Sequence, residues 1–391
     1  MRPRILVDGR LPGARRLFAP LGDVEPFEGP APPRTALRRA EALVVRSVTR
    51  VDRALIADAP RLSFVGTATS GTDHVDRAAL AERAIAFAAA PGSNAAAVAE
   101  YVLAAVVGVL AVPPPGPVGI VGFGHVGRRV HAVFSALGYQ TLVCDPPLAE
   151  LRARRAALGG GAHAESLARA VPLLPLPDLL ARARVVTVHV PRTSAGRHRT
   201  VGLLDRVALG RMQPGAALVQ TSRAGVVDLA AAVDRGLRLV VDVWPGEPRV
   251  PRRLLAACRP ALAAATPHVA GATAAAKRRA VRAIQRALAR HLRRSLPPDS
   301  PPRRAIATLD ARGRTLGECL DAIVGLRASC RALARAAATS PGARVDLEPL
   351  RRRLRPELAE VTIRGAAPGV GAALDAVLRA LAPFDDAAGF A

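Results

Sequence analysis

The chain has 391 residues, half of them hydrophobic but only 3% aromatic, enough for two or three cores built from Ala, Val and Leu, and this excludes wholesale disorder. A formal net charge of +25 invites a nucleic-acid reading, yet Lys277 is the only lysine and the arginines are scattered, with Asp and Glu between them. Ala, Arg, Gly and Pro share G/C-rich codons, so base composition inflates them together; the sequence predicts no nucleic-acid partner, only an attraction for anionic ligands at low salt.

The opening "MRPRILVDGR" has three apolar residues before Asp8, too few for a signal peptide. Strand patterns follow over the first ninety residues: "RILVD", "ALVVRS", "LSFVGTAT" and "IAFAAA", alternating with helical stretches as in a parallel βα sheet. "PGSN" then offers a turn and a helix cap at Ser93 or Asn94, and a helix is predicted through Leu110. That apolar stretch carries Glu100 and stops at Pro113, so it reads as a buried helix and not as a membrane span. After "VPPPGP", strands and helices alternate again through "VGIV", "LVCD", "VVTVHV", "AALVQTS", "LRLVVDVW" and "ALAAATPHV". Residues 152–170 read as helix plus a glycine turn, and a helix-rich run covers 273–296. "PPDSPP" is the clearest linker, and 303–391 read as a small α+β module with helical patterns near 316–337 and 372–382. Cys144, Cys258, Cys319 and Cys330 form no CxxC pair, which predicts no zinc site or disulfide framework and fits a reducing cytoplasm.

"VGIVGFGHVGRRV" holds Gly122, Gly124 and Gly127 in a GxGxxG pattern, weak alone but here flanked by a strand and a helix that ends at Gly138. Gly122 permits the turn, Gly124 lets a pyrophosphate approach and Gly127 allows helix and strand to pack, with His125 and Val126 between them at the helix start. Phosphates there would meet free N–H groups and the helix dipole. The next strand ends at Asp145, close to the roughly 20-residue interval expected for the carboxylate on the adenine ribose. No arginine follows in "CDPP", which predicts NAD over NADP. Three further motifs close later strands: "QTSRAGVVD", "VVDVWPGEP" and "TPHVAGAT". Arg223 supplies a fork that clamps a carboxylate, and Glu247 with His268 makes an acid–base pair. His74, His125, His163 and His189 read as structural or incidental.

With these motifs in this order, together with "VVRSVTRVD", "FVGTATSGTDHVD" and "APGSNAAAVAEYV", the chain is similar to the D-isomer-specific 2-hydroxyacid dehydrogenase family from residue 4 to about 285. Beyond 303 only "DLEPLRRRLRPELAEVTI" resembles a C-terminal dimerisation domain of that family. The resemblance implies an α/β fold of two Rossmann-like domains and a C-terminal α+β dimerisation module. The substrate domain would be split between 1–94 and 267–296, the NAD-binding domain would span 95–266, and 303–391 would hold a homodimer together. It further implies NAD-dependent oxidation of a phosphorylated 2-hydroxy acid by Arg223, Glu247 and His268, with His268 moving the proton. Ser47 and Thr69 would touch substrate, helped by the N–H groups of Thr69, Ser70 and Gly71. Asp145, Asp242 and Gly271 would contact NAD, with Thr221, Ser222 and Arg223 on the nicotinamide side. One position departs: Ala272 stands where the family usually has a substrate-binding tyrosine. The rivals are a dehydrogenase of another D-2-hydroxy acid and a non-catalytic NAD-sensing protein on the same fold.

Overall fold

The computed structural model describes residues 2–157, 171–297, 307–340, 342–351 and 354–382. It divides into two compact units, Met1–Asn94 with Thr273–Arg303, and Ala95–Ala272 with Arg304–Ala391. The return to the first unit therefore falls at Thr273 and not at 267, and Thr273 caps the helix Ala274–His291 by accepting the Ala276 N–H at 3.0 Å. Residues after 303 cluster with the glycine-loop unit instead of forming a third body. The reason is apolar: Cys319, Leu320, Ile323, Leu374 and Val377 share one core with Val98, Val102 and Phe134.

The first unit holds a parallel sheet of β1 (Arg4–Asp8), β2 (Asp23–Phe27), β3 (Ala42–Val45), β4 (Phe64–Thr67) and β5 (Ala86–Ala88), in the order β2-β1-β3-β4-β5. Helix Ala274–His291 lays Val281, Ile284 and Leu288 against Ile5, Val7, Val44 and Phe64. Strand β2 escaped the sequence reading because "DVEPF" mixes charges with Pro26. It lies at the sheet edge, where a missing N–H is tolerated.

In the second unit β6 (Val118–Val121), β7 (Thr141–Cys144), β8 (Val185–Val188), β9 (Ala217–Gln220) and β10 (Arg238–Val241) precede the short β11 (Arg249–Pro251) and β12 (Leu262–Ala265). The main sheet is parallel, in the order β12-β10-β9-β8-β6-β7. Its inner strands β6, β8 and β9 are buried along their whole length and rich in Val, Leu and Ile, as a sheet covered on both faces requires. Strand order reverses at β6, which pairs with β7 on one side and β8 on the other, so a crevice opens where β6 ends.

The helix expected to reach Leu110 runs as α-helix over Ala95–Leu103 and widens into π turns over Ala104–Val109, with the Leu110 N–H on the Ala105 carbonyl. The single pattern near 316–337 is two helices, Leu316–Val324 and Leu326–Thr339, parted by Gly325 at φ 68°. Strand β13 (Ala307–Asp310) pairs with β15 (Val361–Arg364), and β14 (Arg344–Asp346) adds antiparallel to β11. Residues 158–170, His163 among them, and most of "PPDSPP" lie outside the described residues. Among the described residues no helix is long and apolar enough to cross a membrane, and no group of His, Cys, Asp and Glu could hold a metal ion.

Candidate active site

The glycine loop leaves β6 at Gly122, whose φ of 94° a side chain rarely adopts and where a Cβ would lie 2.8 Å from the His189 carbonyl oxygen. A Cβ on Gly127 would overlap the Gly122 carbonyl, so helix His125–Ala136 packs against the loop only because Gly127 lacks one. A Cβ on Gly124 would meet nothing within 4 Å. Gly124 is the N-cap, no side chain caps this end, and Gly124 and His125 are exposed, with Val126 half-buried. The helix therefore starts on open N–H donors, the arrangement that holds a pyrophosphate. Asp145 ties the loop to β7: its Oδ2 accepts the Phe123 N–H at 2.7 Å and its Oδ1 the Leu148 N–H at 2.9 Å. Each carboxylate oxygen keeps a lone pair for a ribose hydroxyl.

The turn after β9 is wound on Gln220, a residue the sequence reading passed over. Its Nε2 donates to the Arg223 carbonyl at 2.8 Å, while its Oε1 accepts the Ser222 hydroxyl at 2.9 Å. This fixes the backbone that carries Arg223. Beside it the Thr221 Oγ1 is buried without a hydrogen-bond partner. An orphaned hydroxyl costs energy unless something supplies its bond, and it lies where the nicotinamide side of a cofactor was expected. The open helix start, the empty space over Gly124 and this orphan all fit a dinucleotide.

After β10 and β12 the chain builds the acid–base pair. His268 Nδ1 lies 2.7 Å from Glu247 Oε2, and the Glu247 Oε1 accepts the Trp244 N–H at 2.6 Å. Because an ionised carboxylate only accepts, the imidazole proton sits on Nδ1 and the neutral ring presents Nε2 as a base. Burial alone would raise the Glu247 carboxyl, but the bond and charge of His268, the charge of Arg351 and the Trp244 N–H outweigh it and hold it below the usual range. Glu247 is ionised at neutral pH. Its side chain is 15% exposed and that of His268 39%, so the base is open while its partner is enclosed.

Asp242 was expected to contact NAD, and the structure shows what its carboxylate does within the chain. It is fully buried, and it accepts the Thr266 hydroxyl at 2.6 Å, the Val269 N–H at 2.7 Å and the Ala270 N–H at 3.0 Å. The Thr266 hydrogen being spent on Asp242, the Tyr101 hydroxyl donates to Thr266 Oγ1 at 2.6 Å. Asp242 thus holds the loop of His268. Gly271 and Ala272 follow, half-buried, where the loop ends. Arg223, Glu247, His268 and the glycine loop all lie past the carboxyl ends of the same sheet's strands. Arg351, which bonds Glu247, was invisible to the sequence reading as one arginine among dozens.

In the first unit Ser47 follows β3 and is exposed, next to Arg46, whose Nε bonds the buried Asp8 at 2.8 Å. Thr69 follows β4: its hydroxyl donates to the Gly71 carbonyl at 2.7 Å and accepts from Thr67 at 2.8 Å. The Thr67 hydrogen being spent, His74 Nε2 donates to Thr67 at 2.9 Å, so His74 shapes this turn.

Residues 23–324 match the family model described as D-isomer specific 2-hydroxyacid dehydrogenase, catalytic domain. Over 285 residues the chain is 44% identical to the erythronate-4-phosphate dehydrogenase of Sodalis glossinidius, covering 71% of this chain and 70% of that one. Among solved structures, the TT0316 protein of Thermus thermophilus superposes with a TM-score of 0.59 at 28% identity, over 75% of this chain and 98% of that one. The NAD+-bound 3-phosphoglycerate dehydrogenase of Entamoeba histolytica has the same fold, with a TM-score of 0.59 at 19% identity over 74% and 95% of the two chains. The chain belongs to the D-isomer specific 2-hydroxyacid dehydrogenase family.

Proposed function

We propose that the protein oxidises 4-phospho-D-erythronate to 2-oxo-3-hydroxy-4-phosphobutanoate with NAD, a step in the synthesis of pyridoxal phosphate (vitamin B6). The observation that carries the chemistry is the Glu247–His268 bond, which commits Nδ1 and leaves Nε2 as a base. The substrate carboxylate binds the Arg223 fork, and its hydroxyl proton passes to His268 Nε2. Glu247 stabilises the imidazolium that forms. NAD, when bound, would supply the acceptor for the hydride from C2. Gly122, Gly124, His125, Val126 and Gly127 would hold its pyrophosphate, Asp145 the adenine ribose, and Thr221, Ser222 and Arg223 the nicotinamide end. Asp242 and Gly271 contact NAD in this reading, and Asp242 also holds the His268 loop. Ser47 and Thr69 bind substrate in this reading, residues 303–391 form a homodimer, and the protein works in the cytoplasm.

Only a neutral His268 accepts a proton, so oxidation rises with pH and reduction of the 2-oxo acid falls. The substrate assignment rests on the name of relatives at 44% and 43% identity. One observation favours a different D-2-hydroxy acid: Ala272 in place of the family's tyrosine. NADH absorbance with a panel of phosphorylated and plain 2-hydroxy acids decides between them. Turnover of 4-phospho-D-erythronate above all others supports the proposal, preference for another acid the second reading, and binding of NAD without any turnover a sensing role.

A further inference from the structure

The C-terminal segment enters the acid–base site by a route that can be followed bond by bond. Strand β14 pairs with β11, Val345 opposite Val250, and the Leu347 N–H then donates to the Pro248 carbonyl at 3.0 Å. The short 3-10 turn Pro349–Arg351 follows and delivers a guanidinium to Glu247. Arg351 Nη2 lies 2.6 Å from Glu247 Oε2, the same oxygen that bonds His268 Nδ1. Its Nε donates to the carbonyl of Pro267, the residue before His268, at 2.8 Å, and its Nη1 to Glu348 at 3.1 Å. Three nitrogens meet three acceptors, a task for a rigid planar fork and not for an ammonium.

His268 itself sits at φ 60°, a conformation that a residue with a side chain keeps only where its neighbours impose it. Asp242 holds the N–H groups just after it, and Arg351 holds the carbonyl just before it. Among the described residues, charged groups near the pair are Arg351 at Glu247, Glu348 behind Arg351, Asp242 under the His268 loop, Arg355 on the Ala270 carbonyl of that loop, and Arg344 beside Gly246.

We propose that Arg351 is a positioning residue for proton transfer. It fixes the Glu247 carboxylate and the backbone before His268, and so holds the ring with Nε2 free to receive the substrate proton. This rests on the dehydrogenase reading above.

The test compares the full-length parent with R351Q and R351K, using kcat and KM for oxidation. A second readout needs no substrate: the proton resonance of His268 Nδ1, set by its bond to Glu247 and assigned with His268→Asn. In R351Q Glu247 and the Pro267 carbonyl lose their shared holder, so the Nδ1 resonance shifts or broadens. Oxidation falls on the order of 10²-fold in kcat, as misplacement of a reacting group does, while NAD affinity stays unchanged. R351K recovers only part of kcat, since one ammonium cannot span Glu247 and Pro267. An unmoved Nδ1 resonance in folded R351Q overturns the proposal. If R351Q does not fold, parental kcat in R351K overturns it. A parent that oxidises no 2-hydroxy acid refutes the dehydrogenase reading and leaves the Nδ1 resonance to decide the proposal.

Discussion

The glycine loop and the C-terminal segment both serve the second unit's site, but they are built on different scales. In the loop most parts answer to a near neighbour: Gly127 to Gly122, and the Phe123 N–H to Asp145, 22 residues on, with only Gly122 held to His189 further along. The C-terminal segment works at long range, with Arg351 reaching Glu247 across 104 residues and Arg355 reaching Glu100 across 255. Spacing rules describe the first kind of construction because the backbone itself sets the distances. They are silent on the second, in which folding brings together residues that carry no joint pattern.

The local side breaks most sharply at the base. In the proposed mechanism His268→Ala removes the group that takes the substrate proton, and turnover should fall on the order of 10² to 10⁴-fold, the usual worth of a general base. NAD affinity should survive, since the loop lies elsewhere on the sheet edge. Steady-state rates and NAD titration of the same preparation check both halves, and near-parental turnover would remove His268 from the mechanism.

The long-range side breaks at Arg355. Its Nη1 bonds the buried Glu100 at 2.8 Å, its Nη2 the carbonyls of Ala97 and Ala270, and Glu100 also accepts the Leu358 N–H at 2.8 Å. Burial pushes the Glu100 carboxyl up to about 7, against the pull of Arg355 and that N–H. Arg355→Met strands the carboxyl, and breaking a buried pair in this way costs about 3–5 kcal/mol. The sign with pH follows from the raised value: the folded state holds the proton more tightly than the unfolded state, whose carboxyl titrates near 4.5. The contribution of Glu100 to stability is thus lost as pH rises from that value to about 7. The Arg355→Met defect should be larger at pH 8 than at pH 5.5, and Glu100→Gln should abolish that difference. Urea unfolding at the two pH values measures it; a defect equal at both would mean that Glu100 does not titrate in this range.

Much of the site was legible because its motifs stand at strand ends, where ligands bind in parallel sheets. The strand patterns on either side of the glycine loop, the loop itself and the paired Glu247 and His268 needed only the run of residues around them. Strand β2 was missed because Pro26 and its charges obscure the alternation that an edge strand can dispense with. The π turns at Ala104–Val109 follow a helical apolar pattern and differ from it only in hydrogen bonding. Gln220 lies inside a strand-like run, and only its two bonds show that it shapes the Arg223 turn. The segment after 303 looked separable because a proline-rich linker precedes it, whereas its apolar helix faces lack a core until they meet Val98 and Phe134.

Asp145 tests the local side at smaller scale, because it both ties the loop and faces the expected ribose. Asp145→Ser keeps a short acceptor but loses the charge and one oxygen. A charge-assisted bond contributes about 1.5–3 kcal/mol, so NAD affinity should fall roughly ten- to a hundredfold. NADP use should change little, and the preference between the cofactors narrows from the NAD side. Equal use of the two by the parent would show that Asp145 does not meet the ribose.

The smallest effect is expected at Ala272, where the local pattern departs from the family. Its N–H donates to the Val269 carbonyl at 2.9 Å, so the backbone of the loop is closed without any help from a side chain. Ala272→Tyr therefore adds a phenol to a turn that already holds its shape. A phenol bonded to substrate contributes about 1 kcal/mol, which lowers KM for 4-phospho-D-erythronate by several-fold. kcat should hardly move, because Arg223, Glu247 and His268 are untouched and binding gained equally in ground and transition states does not speed the chemical step. KM and kcat for the two proteins, measured with saturating NAD, separate the outcomes. A lower KM at constant kcat identifies Ala272 as a vacated contact. An unchanged or higher KM shows that other side chains have filled the space, and the substrate panel should then reveal a preferred acid other than 4-phospho-D-erythronate.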